Sequence, residues 1–138
     1  MYSPPVAEPQ APGMYGAPDA MADTSKAPDG SRELRGFLYS FHINPNGDFW
    51  PLYAGQNAIG RADSGESLDI PIKDPTTSSR HAILISDGPS RMTLQDAGST
   101  NGSFVNDQPV GYQGSVELHD GDRIRLGGYN AAIRLVTR

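Results

Sequence analysis

The chain has 138 residues, room for one ordinary domain and too few for two independent cores. Sixteen Gly, twelve Pro and only 36% hydrophobic residues point to many turns and short elements, and a formal charge of −5 argues against a general nucleic-acid binder. The absence of cysteine removes disulfides, thiolate catalysis and Cys-ligated metal sites, and it fits a cytosolic protein.

The first thirty residues hold six of the twelve prolines, contain no Ile, Leu, Phe or Trp, and carry four acidic groups against Lys26. Such a segment cannot bury enough apolar surface to offset the entropy of ordering it, so residues 1–32 are expected to be a disordered, partly extended tail. No basic stretch followed by an apolar core marks a secretory signal. The longest apolar run, residues 82–85, is far below the ~20 a membrane-spanning helix needs. The expected location is therefore the cytoplasm, without membrane contact.

Residues 33–138 read as short strands separated by turn signals. An aromatic-rich strand over 34–43 ends at Asn44-Pro45-Asn46-Gly47-Asp48, a hairpin turn, and 49–53 returns, with Pro51 marking an edge or bulge. Residues 82–86 form a strand that Asp87-Gly88-Pro89-Ser90 turns into 91–95, and 103–106 is a short strand after Asn101-Gly102. Val116 and Leu118, then Ile124 and Leu126, alternate with polar residues around the turn His119-Asp120-Gly121-Asp122, the period-2 signature of half-buried strands. Gly127-Gly128 breaks the strand, and 131–136 supplies the last. No stretch of twelve residues shows a helical stripe free of Gly and Pro. The expected fold is all-β, an antiparallel sandwich of two sheets.

Three clusters carry the chemistry: Ile59-Gly60-Arg61, Thr77-Ser78-Ser79-Arg80-His81-Ala82, and Gly98-Ser99-Thr100-Asn101-Gly102-Ser103. Each places hydrogen-bond donors beside a glycine or a strand end, where backbone can approach a ligand. A guanidinium that forks onto two oxygens, several hydroxyls and a carboxamide suit a tetrahedral dianion. They suit hydrolysis poorly: His81 beside serines tempts a Ser-His-Asp reading, but no orienting third group or oxyanion site is evident. His42, His81 and His119 lack metal-ligand spacing, and Asp120-Gly121-Asp122 lacks the remaining oxygen ligands of a calcium loop. No catalytic residue, metal or cofactor is expected.

Gly60-Arg61, Ser78-x-x-His81, Ser99-Thr100-Asn101-Gly102 and Asn106, in that order, resemble the forkhead-associated (FHA) domain, as does Leu118-x-Asp120-Gly121-Asp122-x-Ile124-x-Leu126-Gly127. The resemblance covers about residues 34–138 and implies a phosphothreonine-peptide-binding module in Ser/Thr kinase signalling. It implies that Arg61 grips the phosphate, Ser78 donates its hydroxyl to another phosphate oxygen, Asn101 holds the peptide main chain, and Thr100 lines the pocket. Ser79 stands where the family often has a longer donor, and Arg80 is a candidate to compensate. Gly60, His81, Gly102 and Asn106 are implied to be structural supports, with Gly60 at a tight strand exit and Gly102 and Asn106 shaping the Asn101 loop. Thr76, Thr77 and the 107–115 loop are candidates for reading flanking residues.

The implied partner is a phosphothreonine-containing protein or peptide. Thr24, the lone threonine before Thr76, is a candidate phosphosite through which a second copy could be bound, giving self-association through the tail. The alternative from another class is a phosphate-independent docking or oligomerisation module.

Overall fold

The computed structural model describes residues 32–136. The tail expected over residues 1–32, save Arg32, and the candidate phosphosite Thr24 lie outside the described residues. Among the described residues there is no helix, and so none long and apolar enough to cross a membrane. Eleven strands follow in order: β1 Leu34–Ser40, β2 Asp48–Tyr53, β3 Gly55–Arg61, β4 Ile70–Ile72, β5 Ala82–Ser86, β6 Met92–Asp96, β7 Ser103–Val105, β8 Gln108–Pro109, β9 Ser115–Leu118, β10 Arg123–Leu126 and β11 Tyr129–Leu135.

The turn chemistry explains the hairpins. Gly47, at φ +96°, closes the β1–β2 connection by donating its N–H to Asn44 O at 2.8 Å, while Asn44 Oδ1 accepts from Asn46 N–H. Asp122 N–H donates to His119 O in the β9–β10 turn, with Gly121 at φ +89° between them.

Two sheets result. One has six strands in the order β2-β1-β11-β10-β7-β8, the other five in the order β4-β3-β5-β6-β9. Strand alternation sends Leu38, Ile124, Leu126 and Ile133 inward from the first sheet and Ile59, Leu84, Leu94 and Leu118 inward from the second, all fully buried in one core. The expected all-β sandwich of two sheets is present, with one difference: β3 pairs β4 in parallel, Ile59 opposite Ile70 and Arg61 opposite Ile72.

Strands β3, β4 and β8 were not legible in the sequence. β4 and β8 are only three and two residues long. β3 carries Gly55, Asn57 and Gly60, residues depleted in strands. Asn57 is nevertheless buried, because its Nδ2 donates to Tyr53 O and Leu84 O while its Oδ1 accepts from Tyr53 N–H. A satisfied carboxamide costs little in a core, so local propensity yields to pairing with β5.

Candidate functional site

Arg61 is the last residue of β3, and its position is set by the backbone before its side chain. Arg61 N–H donates to Ser78 O at 2.9 Å, and His81 N–H donates to Ile59 O at 2.9 Å, so the 77–81 segment runs against the end of β3. Gly60 makes this possible: a Cβ there would lie 2.0 Å from Ser79 O, a backbone atom with no room to yield. Gly60 thus serves close approach at the exit of β3, one residue before the strand's end.

The Arg61 side chain is held on three sides. Nε donates to Asp63 Oδ1 at 2.8 Å, one terminal nitrogen to Thr77 O at 3.4 Å, and the other to Ser79 Oγ at 3.3 Å. A guanidinium has five N–H groups, so one remains on each terminal nitrogen. Ser79 therefore orients the arginine. Arg80 is exposed and, among the described residues, has no hydrogen-bond or ion-pair partner.

His81 ties the loops together from beneath. Its buried ring accepts from Ser78 N–H at Nδ1, 3.0 Å, which leaves the proton on Nε2 to donate to Gly102 O at 2.9 Å. Burial holds its pKa below the usual histidine value, outweighing the opposing influence of Gly102 O and the Asp96 carboxylate. Gly102 O also accepts from Gly127 N–H, so one carbonyl joins the Asn101 loop to the β10–β11 turn.

Ser78 Oγ accepts from Thr100 N–H at 3.0 Å, leaving its own O–H to donate elsewhere. Asn101 Nδ2 donates to Thr76 O at 2.8 Å, which fixes the amide orientation and turns Oδ1 and the second N–H away from that bond. Ser78, Ser79, Thr100 and Asn101 are thus brought together with Arg61 at one end of the sandwich. Asn106 is placed differently from expectation. It lies at the other end of β7, where its Nδ2 donates to Asp122 Oδ1 and its Oδ1 accepts from Arg123 N–H, so its side chain fastens that turn to the β9–β10 hairpin.

Sequence reasoning missed two supporting groups. Asp96, at the end of β6, accepts from Ser99 Oγ at 2.5 Å, Ser103 Oγ at 2.6 Å and the N–H groups of Gly98, Ser99 and Gln113. Burial pushes its carboxyl up, but the bonds from Ser103, Ser99 and Gln113 outweigh this and hold the pKa at about 2. Asp74 captures both Thr76 N–H and Thr76 Oγ1, while Thr76 Oγ1 accepts from Gly128 N–H at 2.7 Å. The signal was present as Asp74-x-Thr76 and Asp96-x-x-Ser99, spacings at which a carboxylate caps its own turn.

Two depressions adjoin these residues. One of about 610 Å³ is lined by Arg61, Ala62, Asp63, Lys73, Asp74 and Pro75. Another, of about 330 Å³, includes Thr100, Asn101, Phe104, Pro109 and Tyr112 in its wall. Among the described residues no cluster of three His, Cys, Asp or Glu groups is arranged to hold a metal.

The FHA domain family model matches residues 57–127, just over half of the chain and the stretch from β3 to the β10–β11 turn. The chain belongs to the FHA family. The FHA domain-containing protein FhaA of Mycobacterium tuberculosis is 37% identical over 90 residues, which is 65% of this chain and 16% of that protein. The chain spans less than a fifth of the length of the curated relatives it matches. Among solved structures, an FHA domain described in a study of phosphothreonine-dependent interactions is 32% identical at a TM-score of 0.63, covering 75% of this chain and 99% of that one. The FhaA FHA domain in complex with the intracellular domain of Rv3910 is 34% identical at a TM-score of 0.60, covering 71% of this chain and 99% of that one.

Proposed function

We propose that this FHA domain binds a phosphothreonine-containing peptide across the loops that carry Arg61, Ser78 and Asn101, and that it works as a binding module without catalysis. The observation that carries the reading is the set of uncommitted groups at one end of the sandwich. Arg61 has an N–H left on each terminal nitrogen, Ser78 an unspent O–H, and Asn101 a free Oδ1 beside a second N–H. The first three donors match phosphate oxygens, and the carboxamide matches the C=O and N–H of an extended peptide unit.

In this reading Arg61 supplies the charge, Ser78 a directional donor, Thr100 a second hydroxyl, and Ser79 the orientation of Arg61. Local charge suffices although the domain is not basic: residues 31–138 carry ten basic and twelve acidic groups, a net of −2. The methyl of threonine gives a preference over serine worth roughly 1–3 kcal/mol where a pocket receives it. A Ser/Thr kinase writes the mark, either on another protein or on Thr24 of a second copy of this chain.

Fluorescence anisotropy with degenerate phosphothreonine, phosphoserine and unphosphorylated peptide pools tests the reading, repeated with Arg61→Ala. Binding confined to the phosphothreonine pool and lost with Arg61→Ala supports it. Equal binding of the unphosphorylated pool, or retention without Arg61, replaces it with phosphate-independent docking.

A further inference from the structure

The outer face of the six-stranded sheet has two chemically distinct halves. On β1 and β2, Phe37, Tyr39 and Phe49 point outward, with Phe49 65% exposed; Phe41, just beyond β1, is 63% exposed. Phe37 and Phe49 lie 6.0 Å apart between ring centroids, and Tyr39 and Phe41 6.2 Å, two ring pairs set side by side by the Tyr39–Phe49 register of β1 and β2. On β10 and β11 the same face presents Arg123, Arg125 and Arg134. Single exposed aromatics need no explanation, but two adjoining pairs on one sheet face do.

We propose that this face is a symmetric interface with a second copy of the chain, in which the aromatic half of each copy stacks on the arginine half of the other. The register supplies the match. Phe37 lies opposite Arg134 across the β1–β11 pair, and one continuous row runs Phe49, Tyr39, Ala132, Arg123 over β2, β1, β11 and β10. A twofold axis along the strands between β1 and β11 lays Phe37 on the second copy's Arg134 and Phe49 on the second copy's Arg123. It also sets Tyr39 over the second copy's Ala132, large against small. Every contact then occurs twice.

The face already contains an example of the chemistry: the Arg125 guanidinium sits 3.8 Å from the centroid of the Phe104 ring. Arg123 and Arg134 are paired with exposed Asp107 and Asp120, and an arginine held at its edge by a carboxylate still offers its planar faces for stacking. Pairing through the sheet edges is disfavoured, because the edge strands β2 and β8 contain Pro51 and Pro109. Four strands about 4.8 Å apart and about 20 Å long bury roughly 800 Å² in total, the low end of weak, transient interfaces.

Sedimentation velocity of the phosphatase-treated full chain, from about 5 to about 500 μM, tests this independently of any phosphopeptide. The expected result is a reversible monomer–dimer equilibrium with a dissociation constant on the order of 10–100 μM, unmoved by Arg61→Ala. Phe49→Ala and Arg123→Ser are surface changes that should each weaken it about five- to thirtyfold, since two cation–π contacts are lost per dimer. An equimolar mixture of the two variants should associate more tightly than either alone, because one of the two crossed contacts is intact in the mixed dimer. A monomer at the highest concentration, a dimer that neither variant weakens, or a mixture no tighter than its parents overturns the proposal.

Discussion

The N–H of Ser78 donates to Nδ1 of His81 at 3.0 Å, so the backbone of the Ser78 loop is held by a neutral imidazole. Protonation would replace that acceptor with a donor and break the bond. Because burial lowers the folded-state pKa of His81, the unfolded chain binds the proton first as pH falls. The stability it contributes is therefore whole above about pH 6.5 and is lost progressively as pH drops toward the lowered folded value. Urea unfolding between pH 7 and 5 should show stability declining with acid in the wild type, with a smaller slope in His81→Asn. Identical slopes in both would remove His81 as the cause.

Arg61 is the charged partner on which the proposed phosphate contact depends. Arg61→Ala should weaken phosphothreonine-peptide binding by about 2–5 kcal/mol. Its side chain is partly exposed and makes only edge contacts, so the thermal midpoint should move little. Arg61→Lys should recover part of the loss, since it keeps the charge without the fork. Anisotropy titrations paired with thermal melts measure both quantities; a variant that loses binding only because it unfolds would show it in the melt.

Asp63 competes for the same guanidinium. Its carboxylate, on a side chain 83% exposed, sits 2.8 Å from Arg61 Nε and adds negative charge beside the incoming phosphate. Asp63→Asn should tighten phosphopeptide binding by roughly 0.5–1 kcal/mol at low salt, with the gain shrinking as salt rises. Titration at two ionic strengths checks this. Weaker binding in Asp63→Asn would mean that Asp63 chiefly positions Arg61.

Asp96 fastens the loop that presents Thr100 and Asn101. With its pKa held at about 2, below the ordinary carboxyl value, it contributes about 2 kcal/mol that is present above pH 4 and lost as pH falls toward 2. Asp96→Ala leaves the buried Ser99 and Ser103 hydroxyls without their acceptor and should cost about 3 kcal/mol at neutral pH. Chemical denaturation at pH 7 measures the loss, and a change under about 1 kcal/mol would show that water replaces the carboxylate.

Gly60→Ala places a methyl against Ser79 O, which belongs to backbone held by the His81–Ile59 hydrogen bond. β3 must then part from the 77–81 segment, so both stability, by about 1–3 kcal/mol, and the placement of Arg61 should suffer. Amide chemical shifts of Arg61 through Ala82 would register the displacement; unchanged shifts would show that the sandwich absorbs the methyl elsewhere.

Amino-acid type and local spacing were enough for the strands whose apolar residues alternate and whose turns carry Gly, Asn or Asp. β9 and β10 lie where the period-2 pattern places them, because burial of one sheet face writes itself directly into the sequence, and β5 lies where the apolar run before Asp87-Gly88 places it. Arg61, Ser78, Thr100 and Asn101 were legible as polar clusters beside a glycine or a strand end. β3 was not legible, because its pairing with β5 and the satisfied Asn57 override the residues' own preferences. Nor was the place of Asn106, which the family resemblance put with the Asn101 loop and the tertiary structure fastens to Asp122 and Arg123. The bonds of Asp96 to Ser103 and Gln113, the His81 bridge from Ser78 to Gly102, and the outer row from Phe49 to Arg123 join residues distant in the chain. Only strand pairing brings those partners within reach, so only the folded structure could decide them.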